Sequence, residues 1–192
     1  MQENGTAMNQ DTAVKAKRRN LIILLAALAI FLNGAVNFFE SRKNSAELIK
    51  LGTPLPEFSV KQADGSPISS ASFKGKPAIY YFFANWCPCS HASIGLVKKA
   101  AADNAQSGLA LFSIGIQDSA SEFEKFAKKH DITSPVGVSG GNDVAAMLGI
   151  RTTPTTLFVD ANGVVQWIFI GKIEKYEAIE QGIKAITGGK VG

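Results

Sequence analysis

The run Ala78-Ile79-Tyr80-Tyr81-Phe82-Phe83-Ala84-Asn85-Trp86-Cys87-Pro88-Cys89 decides how the rest of the chain is read. Its first six residues are uninterrupted apolar and aromatic side chains, the pattern of a strand covered on both faces. The break comes at Asn85, and Pro88 suits the first position of a helix, where its missing N–H costs nothing. The spacing therefore predicts a helix from Pro88 to about Asp103, with Cys87 at its cap. A cap thiol faces unpaired backbone N–H groups and the positive end of the helix dipole, and both favour the nucleophilic thiolate. Cys87 is accordingly the candidate attacking thiol and Cys89 the candidate resolving thiol. These are the only two cysteines in 192 residues. A bridge across a single residue closes almost no loop, so stapling the fold is a poor reason for the pair. Chemistry is the better one.

Working outward, Leu109 to Ile116 predicts a second buried strand. Ser119 followed by Glu122 has the capping-box spacing, opening a helix with Phe123, Phe126 and Ala127 on one face and His130 at its end. Asp143 to Leu148 reads as a shorter helix. Thr155 to Val159 and Val164 to Ile170 read as two strands joined by Asp160-Ala161-Asn162-Gly163, a hairpin turn signal, and a closing helix is expected from about Glu174 to Ile186. Upstream, a short strand begins at Phe58-Ser59-Val60 and turns at Ala63-Asp64-Gly65. This order predicts an α/β domain, a mixed central sheet with helices on both faces.

The N-terminal part differs in character. Residues 21–39 carry no charge, and as a helix they would span roughly 28 Å, enough to cross the hydrocarbon core. Lys15, Lys17, Arg18 and Arg19 precede them, so the positive-inside rule places residues 1–20 in the cytoplasm. Asn33-Gly34-Ala35 makes a poor signal-cleavage site, which favours an uncleaved anchor in contact with membrane lipid. Residues 40–52, polar and charged, read as a linker, and residues 53–192 as the domain. Residues 1–52 hold seven Lys/Arg against four Asp/Glu and residues 53–192 thirteen against twelve, so the +4 net charge sits mainly in the tail. A near-neutral domain gives no support for nucleic-acid binding, so no nucleic acid is expected among its partners.

Several motifs in order carry a resemblance: Pro56-Glu57-Phe58-Ser59, Phe73-Lys74-Gly75-Lys76-Pro77, Trp86-Cys87, and Gly149-Ile150-Arg151-Thr152-Thr153-Pro154-Thr155-Thr156-Leu157-Phe158-Val159-Asp160. From about Gly52 to the last helix the chain resembles the thioredoxin superfamily and, more closely, the bacterial membrane-anchored thioredoxin-like proteins of the TlpA/ResA type. The resemblance implies a thioredoxin fold and thiol:disulfide exchange through Cys87 and Cys89, without cofactor or metal. It implies partner proteins outside the cytoplasm that bear thiols or disulfides, a membrane redox partner, and a single-pass location in the bacterial inner membrane with the C-terminal domain in the periplasm or cell exterior. It also implies a cis peptide before Pro154 in a loop abutting the cysteines. Thr153 would there offer its backbone to an extended partner strand, and Trp86 would pack beside the cysteines and shield them.

The departures are specific. The family has two residues between its cysteines; this chain has only Pro88, which turns Cys89 roughly 200° from Cys87 on a regular helix. A bridge forms only if Cys87 lies outside helical geometry, and such a bridge is expected to be strained and oxidising. Ala92 and Ile94 replace a carboxylate and a proline of many relatives, and Tyr81 replaces a buried polar group. A second reading is a copper-binding or copper-delivery module, in which Cys87, Cys89 and His91 supply soft donors for Cu(I). The plainer reading of His91 is an exposed first-turn histidine, of His130 a helix-end cation, and of Trp167 and Arg151 ordinary packing and solvation. A peroxidase would carry threonine or serine three residues before its reactive cysteine, where Ala84 stands before Cys87.

Overall fold

A computed structural model describes residues 47–117, 119–139 and 144–189. The anchor expected at residues 21–39, with the tail before it, lies outside these. Among the described residues no helix is long and apolar enough to cross a membrane.

Seven strands form one sheet: β1 (Ser59–Lys61), β2 (Pro67–Ser69), β3 (Ala78–Phe83), β4 (Ala110–Gly115), β5 (Val136–Val138), β6 (Thr155–Val159) and β7 (Val165–Ile170). Their spatial order is β2-β1-β5-β4-β3-β6-β7. The β3–β4 and β4–β5 pairs are parallel and the others antiparallel, so the sheet is mixed. The helices are α1 (Pro88–Asp103), α2 (Ala120–Lys129), α3 (Val144–Met147) and α4 (Glu177–Thr187). This is the thioredoxin-type α/β architecture.

β3 runs through the middle and is buried at all six positions. Alternation sends its side chains to two cores. Tyr80 and Phe82 face Phe58, Phe73, Phe112 and the α3 side chains Val144 and Ala145. Ile79, Tyr81 and Phe83 face Ile94 and Val97 of α1, Phe123 and Phe126 of α2, and Ile179 and Ile183 of α4. Helices cover both faces as expected, but unequally: three pack on one side and the single turn of α3 on the other. The second face is completed by the β1–β2 hairpin and a 3-10 turn, Ser70–Phe73, whose Phe73 ring stacks on Phe112 at 4.9 Å.

Two short strands, β2 and β5, were not anticipated from the sequence. At β5 the Val60 side chain of β1 lies so close that a Cβ on Gly137 would be 2.1 Å from Val60 Cγ2. Only glycine fits between these strands. Nor is the whole of residues 40–52 a free linker. Leu48 and Ile49 pack against the core, Ile49 N–H donates to Leu148 O at 3.0 Å, and Gly52 N–H to Val165 O at 2.8 Å. The apolar pair inside that charged stretch explains the attachment: its burial outweighs the cost of ordering a few residues.

Candidate functional site

The site forms where β3 ends and α1 begins. Cys87 is the helix cap, with extended backbone (φ −92°, ψ 111°), and Pro88 follows at the first helical position. Cys87 thus lies off the helix, as a bridge to Cys89 requires. Both cysteines are free thiols, Cys87 buried with 7% exposure and Cys89 half-buried. The Cys87 thiol donates to the Thr153 carbonyl at 3.4 Å, across 66 residues of chain. The Thr153–Pro154 peptide is cis, and Gly171 N–H, just beyond β7, holds the Pro154 carbonyl at 2.8 Å. Cys87 therefore lies against the loop that holds Thr153 and Pro154, with Cys89 two residues on in the first turn of α1.

Burial pushes the Cys87 thiol upward. Hydrogen bonds from the Thr153 side chain, the Ser90 N–H and hydroxyl, and the Cys89 N–H act against burial and prevail, leaving Cys87 below its ordinary value. Unpaired helix-start donors facing a sulfur favour its anion.

Trp86, next to Cys87 in the turn before α1, is 61% exposed. Ile170, at the end of β7 and in register with Thr155, is a second exposed apolar side chain (53%) on the strand that backs the Pro154 loop.

His91 is not the exposed histidine expected. Its Nε2–H donates to the Asn85 carbonyl at 2.7 Å, which leaves Nδ1 to accept from His130 Nε2–H, also at 2.7 Å. The chain's only two histidines are thus paired, against the Phe126 ring. Among the described residues no three His, Cys, Asp or Glu side chains are placed to hold a metal ion, and both His91 nitrogens are turned away to these partners. Nor is His130 a helix-end cation: burial first, then His91, Lys129 and Lys98, lower its pKa below 6.5 and outweigh Asp131. Folding therefore favours its neutral form. The associated stability is complete above the unfolded value of 6.5 and is lost as pH falls toward the lower folded value. Thermal melts between pH 7.5 and 5 should show this loss, and His130→Asn should flatten it; an equally steep profile in the variant would refute the assignment.

Sequence reading missed a set of buried hydroxyls beneath the cysteines. Tyr81, wholly buried, donates to the Ser90 carbonyl at 2.8 Å. Ser90 Oγ accepts from Ala84 N–H at 3.3 Å. Ser93 Oγ donates to the Cys89 carbonyl at 2.8 Å and accepts from Ile173 N–H at 2.8 Å. The available signal was the spacing of serines at the fourth residue after Cys89 and the third after Cys87, where a hydroxyl reaches back along a helix. Asn85, whose amide donates to Glu122 Oε2, was also missed. That contact draws the Glu122 carboxylate away from the cap: Ser119 Oγ accepts from Glu122 N–H, but Glu122 bonds Asn85 and Lys125.

Set beside known proteins, the chain has relatives in both sequence and fold. The profile of the AhpC/TSA family matches residues 51–168. A protein of Bacillus cereus named thiol-disulfide oxidoreductase ResA is 23% identical over 88% of this chain and 99% of its own length. A protein of the same name from Oceanobacillus iheyensis is 24% identical over 84% of this chain and 88% of its own. Among solved structures, a thiol:disulfide interchange protein of the thioredoxin family from Chlorobium tepidum superposes with a TM-score of 0.63. It has 29% identity and covers 73% of this chain and 99% of its own.

Proposed function

Because this chain belongs to the AhpC/TSA family, we propose that it is a thiol:disulfide oxidoreductase exchanging disulfides with partner proteins through Cys87 and Cys89. The observation that carries the reading is the Cys87 sulfur at the start of α1, its pKa lowered, against the Thr153 carbonyl of the cis-proline loop. In the reductive direction the Cys87 thiolate attacks one sulfur of a partner disulfide, forming a mixed disulfide and releasing the partner's other sulfur as thiolate. Cys89 then attacks the Cys87 sulfur and expels the second partner thiol, so two electrons pass to the partner and Cys87–Cys89 becomes oxidised. Trp86, Thr153 and Pro154 form the surface against which an extended partner segment lies. The relatives' name, thiol-disulfide oxidoreductase, supports the activity, and Ala84 three residues before Cys87 speaks against a peroxidase.

The setting belongs to the same proposal. Residues 21–39 anchor the chain in the bacterial inner membrane, residues 1–20 stay in the cytoplasm, and residues 53–192 work on the far side, where thiols and disulfides coexist. A membrane redox partner returns the cysteines to their working state. One preparation tests setting and activity together. Membranes are washed with alkaline carbonate, the retained chain is solubilised and its mass taken, and its reduction of insulin disulfides is followed with dithiothreitol as reductant. A full-length, carbonate-resistant, active chain is expected. A soluble chain beginning near residue 36 would reject the anchor; an intact chain no faster than dithiothreitol alone would reject the activity.

A further inference from the structure

We propose that Tyr81 is a positioning residue for Cys87, acting through Ser90, whose carbonyl it fixes from below while the Ser90 N–H holds the Cys87 carbonyl. The inference rests on the reading of Cys87 as the attacking thiol. Its basis is the geometry of one wholly buried hub. Ser90 has no exposed surface and is gripped at three points. Its carbonyl accepts from Tyr81 Oη at 2.8 Å, its N–H donates to the Cys87 carbonyl at 3.0 Å, and its Oγ accepts from Ala84 N–H at 3.3 Å. The Cys87 N–H donates in turn to the Ala84 carbonyl at 3.1 Å, so Ala84, Cys87 and Ser90 form one bonded turn, and Tyr81 holds it from below.

Tyr81 has the chemistry for this role and not for a proton shuttle. It sits mid-strand in β3, in register with Ser113 on one side and Thr156 on the other. All three are wholly buried on the α1 side of the sheet, and no carboxylate stands in that row. Burial holds the Tyr81 hydroxyl well above its ordinary value of 10; the nearby Cys87 and Cys89 sulfurs add to this, and Ser90 and Ser93 oppose it. The phenol therefore remains a proton-bearing donor throughout the range in which a thiol titrates. A fixed donor orients its acceptor and takes up no proton. The rigid phenyl ring, packed in the core with Phe83 at 6.1 Å between centroids, sets where that donor lies.

The test uses the full-length chain in a Cys89→Ser background, so that Cys87 is the one thiol. Its alkylation by iodoacetamide is followed across pH. Tyr81→Phe removes the hydroxyl and keeps the ring. Losing a bond that holds a donor in place should slow alkylation near neutral pH by about three- to tenfold, the factor that roughly 0.7–1.4 kcal/mol represents, with the titration midpoint moved upward. Tyr80→Phe is the matched control. Its hydroxyl is also buried and donates to a backbone carbonyl (Ser70, 3.4 Å), but on the opposite face of β3. It should leave the Cys87 titration in place. If Tyr81→Phe does not fold, Ser90→Ala is measured instead and should shift the midpoint in the same direction. A Tyr81→Phe or Ser90→Ala midpoint coincident with that of Tyr80→Phe would overturn the proposal, even if melting temperature falls. The titration needs no partner protein, so failure of disulfide exchange would count against the proposed function and not against this inference.

Discussion

Cys87→Ser is expected to bring protein-disulfide turnover down to the uncatalysed background, while Cys89→Ser is expected to accumulate a mixed disulfide through Cys87. The two cysteines are chemically alike but placed differently, and the difference assigns the steps. Cys87 sits at the cap, where the Ser90 and Cys89 N–H groups help lower its pKa, and its sulfur touches the loop that ends at Pro154. Cys89 lies inside the first turn, its carbonyl held by Ser93. An attacking thiol must be ionised and must meet a partner beside a surface that can hold it. A serine hydroxyl at position 87 is not ionised at neutral pH, so the first bond never forms. With Cys89 removed, the first bond forms and nothing expels the partner. Non-reducing electrophoresis with mass spectrometry of the adduct reads both outcomes. Trapping by the Cys87→Ser chain, with none by the Cys89→Ser chain, would reverse the assignment.

Much of this arrangement was legible because local rules and tertiary packing agree. The β3 run has no polar residue to place it at an edge, and it became the buried central strand. Pro88 marks the start of α1, and the predicted end at Asp103 coincides with the observed one. The Asp160–Gly163 turn closes as expected, with Asp160 Oδ1 accepting from the Asn162 and Val164 N–H groups. What escaped depends on contacts distant in sequence. β2 and β5 have three residues each, too few to show a period; β2 forms by pairing with β1, and β5 by lying between β1 and β4. The last helix begins at Glu177 rather than near Glu174, because Ile173 is committed to Ser93 on α1. The His91–His130 pair joins residues from two helices 39 positions apart. No first-turn signal in α1 announces a partner on α2, so a solvated histidine was the natural expectation. Tyr81 was visible as a departure from the family pattern, but its use became visible only with the Ser90 carbonyl above it.

The Cys87–Cys89 couple is expected to be more oxidising than thioredoxin, whose potential is about −270 mV. The argument compares the two redox forms. In the reduced form Cys87 is extended at the cap, Cys89 is helical, and each main-chain group nearby is occupied: the Cys87 carbonyl by the Ser90 N–H, the Cys89 carbonyl by Ser93 Oγ, and Ser93 in turn by Ile173 N–H. Bridging across one residue requires Cys89 to swing toward the cap, against the Ser93–Ile173 tether and against the rigid Pro88 ring. Stabilised thiolate at Cys87 adds to the preference, since it too belongs to the reduced form. For a two-electron couple each 1.4 kcal/mol is ~30 mV, so about 3 kcal/mol of combined preference lifts the potential by roughly 60 mV, toward the range near −180 mV of disulfide isomerases. Redox titration against glutathione measures it. Insertion of one glycine after Pro88 is the matched comparison: it restores a two-residue spacing, relaxes the ring and should lower the potential. A native value at or below that of thioredoxin, or an insertion that raises it, would refute the strain argument.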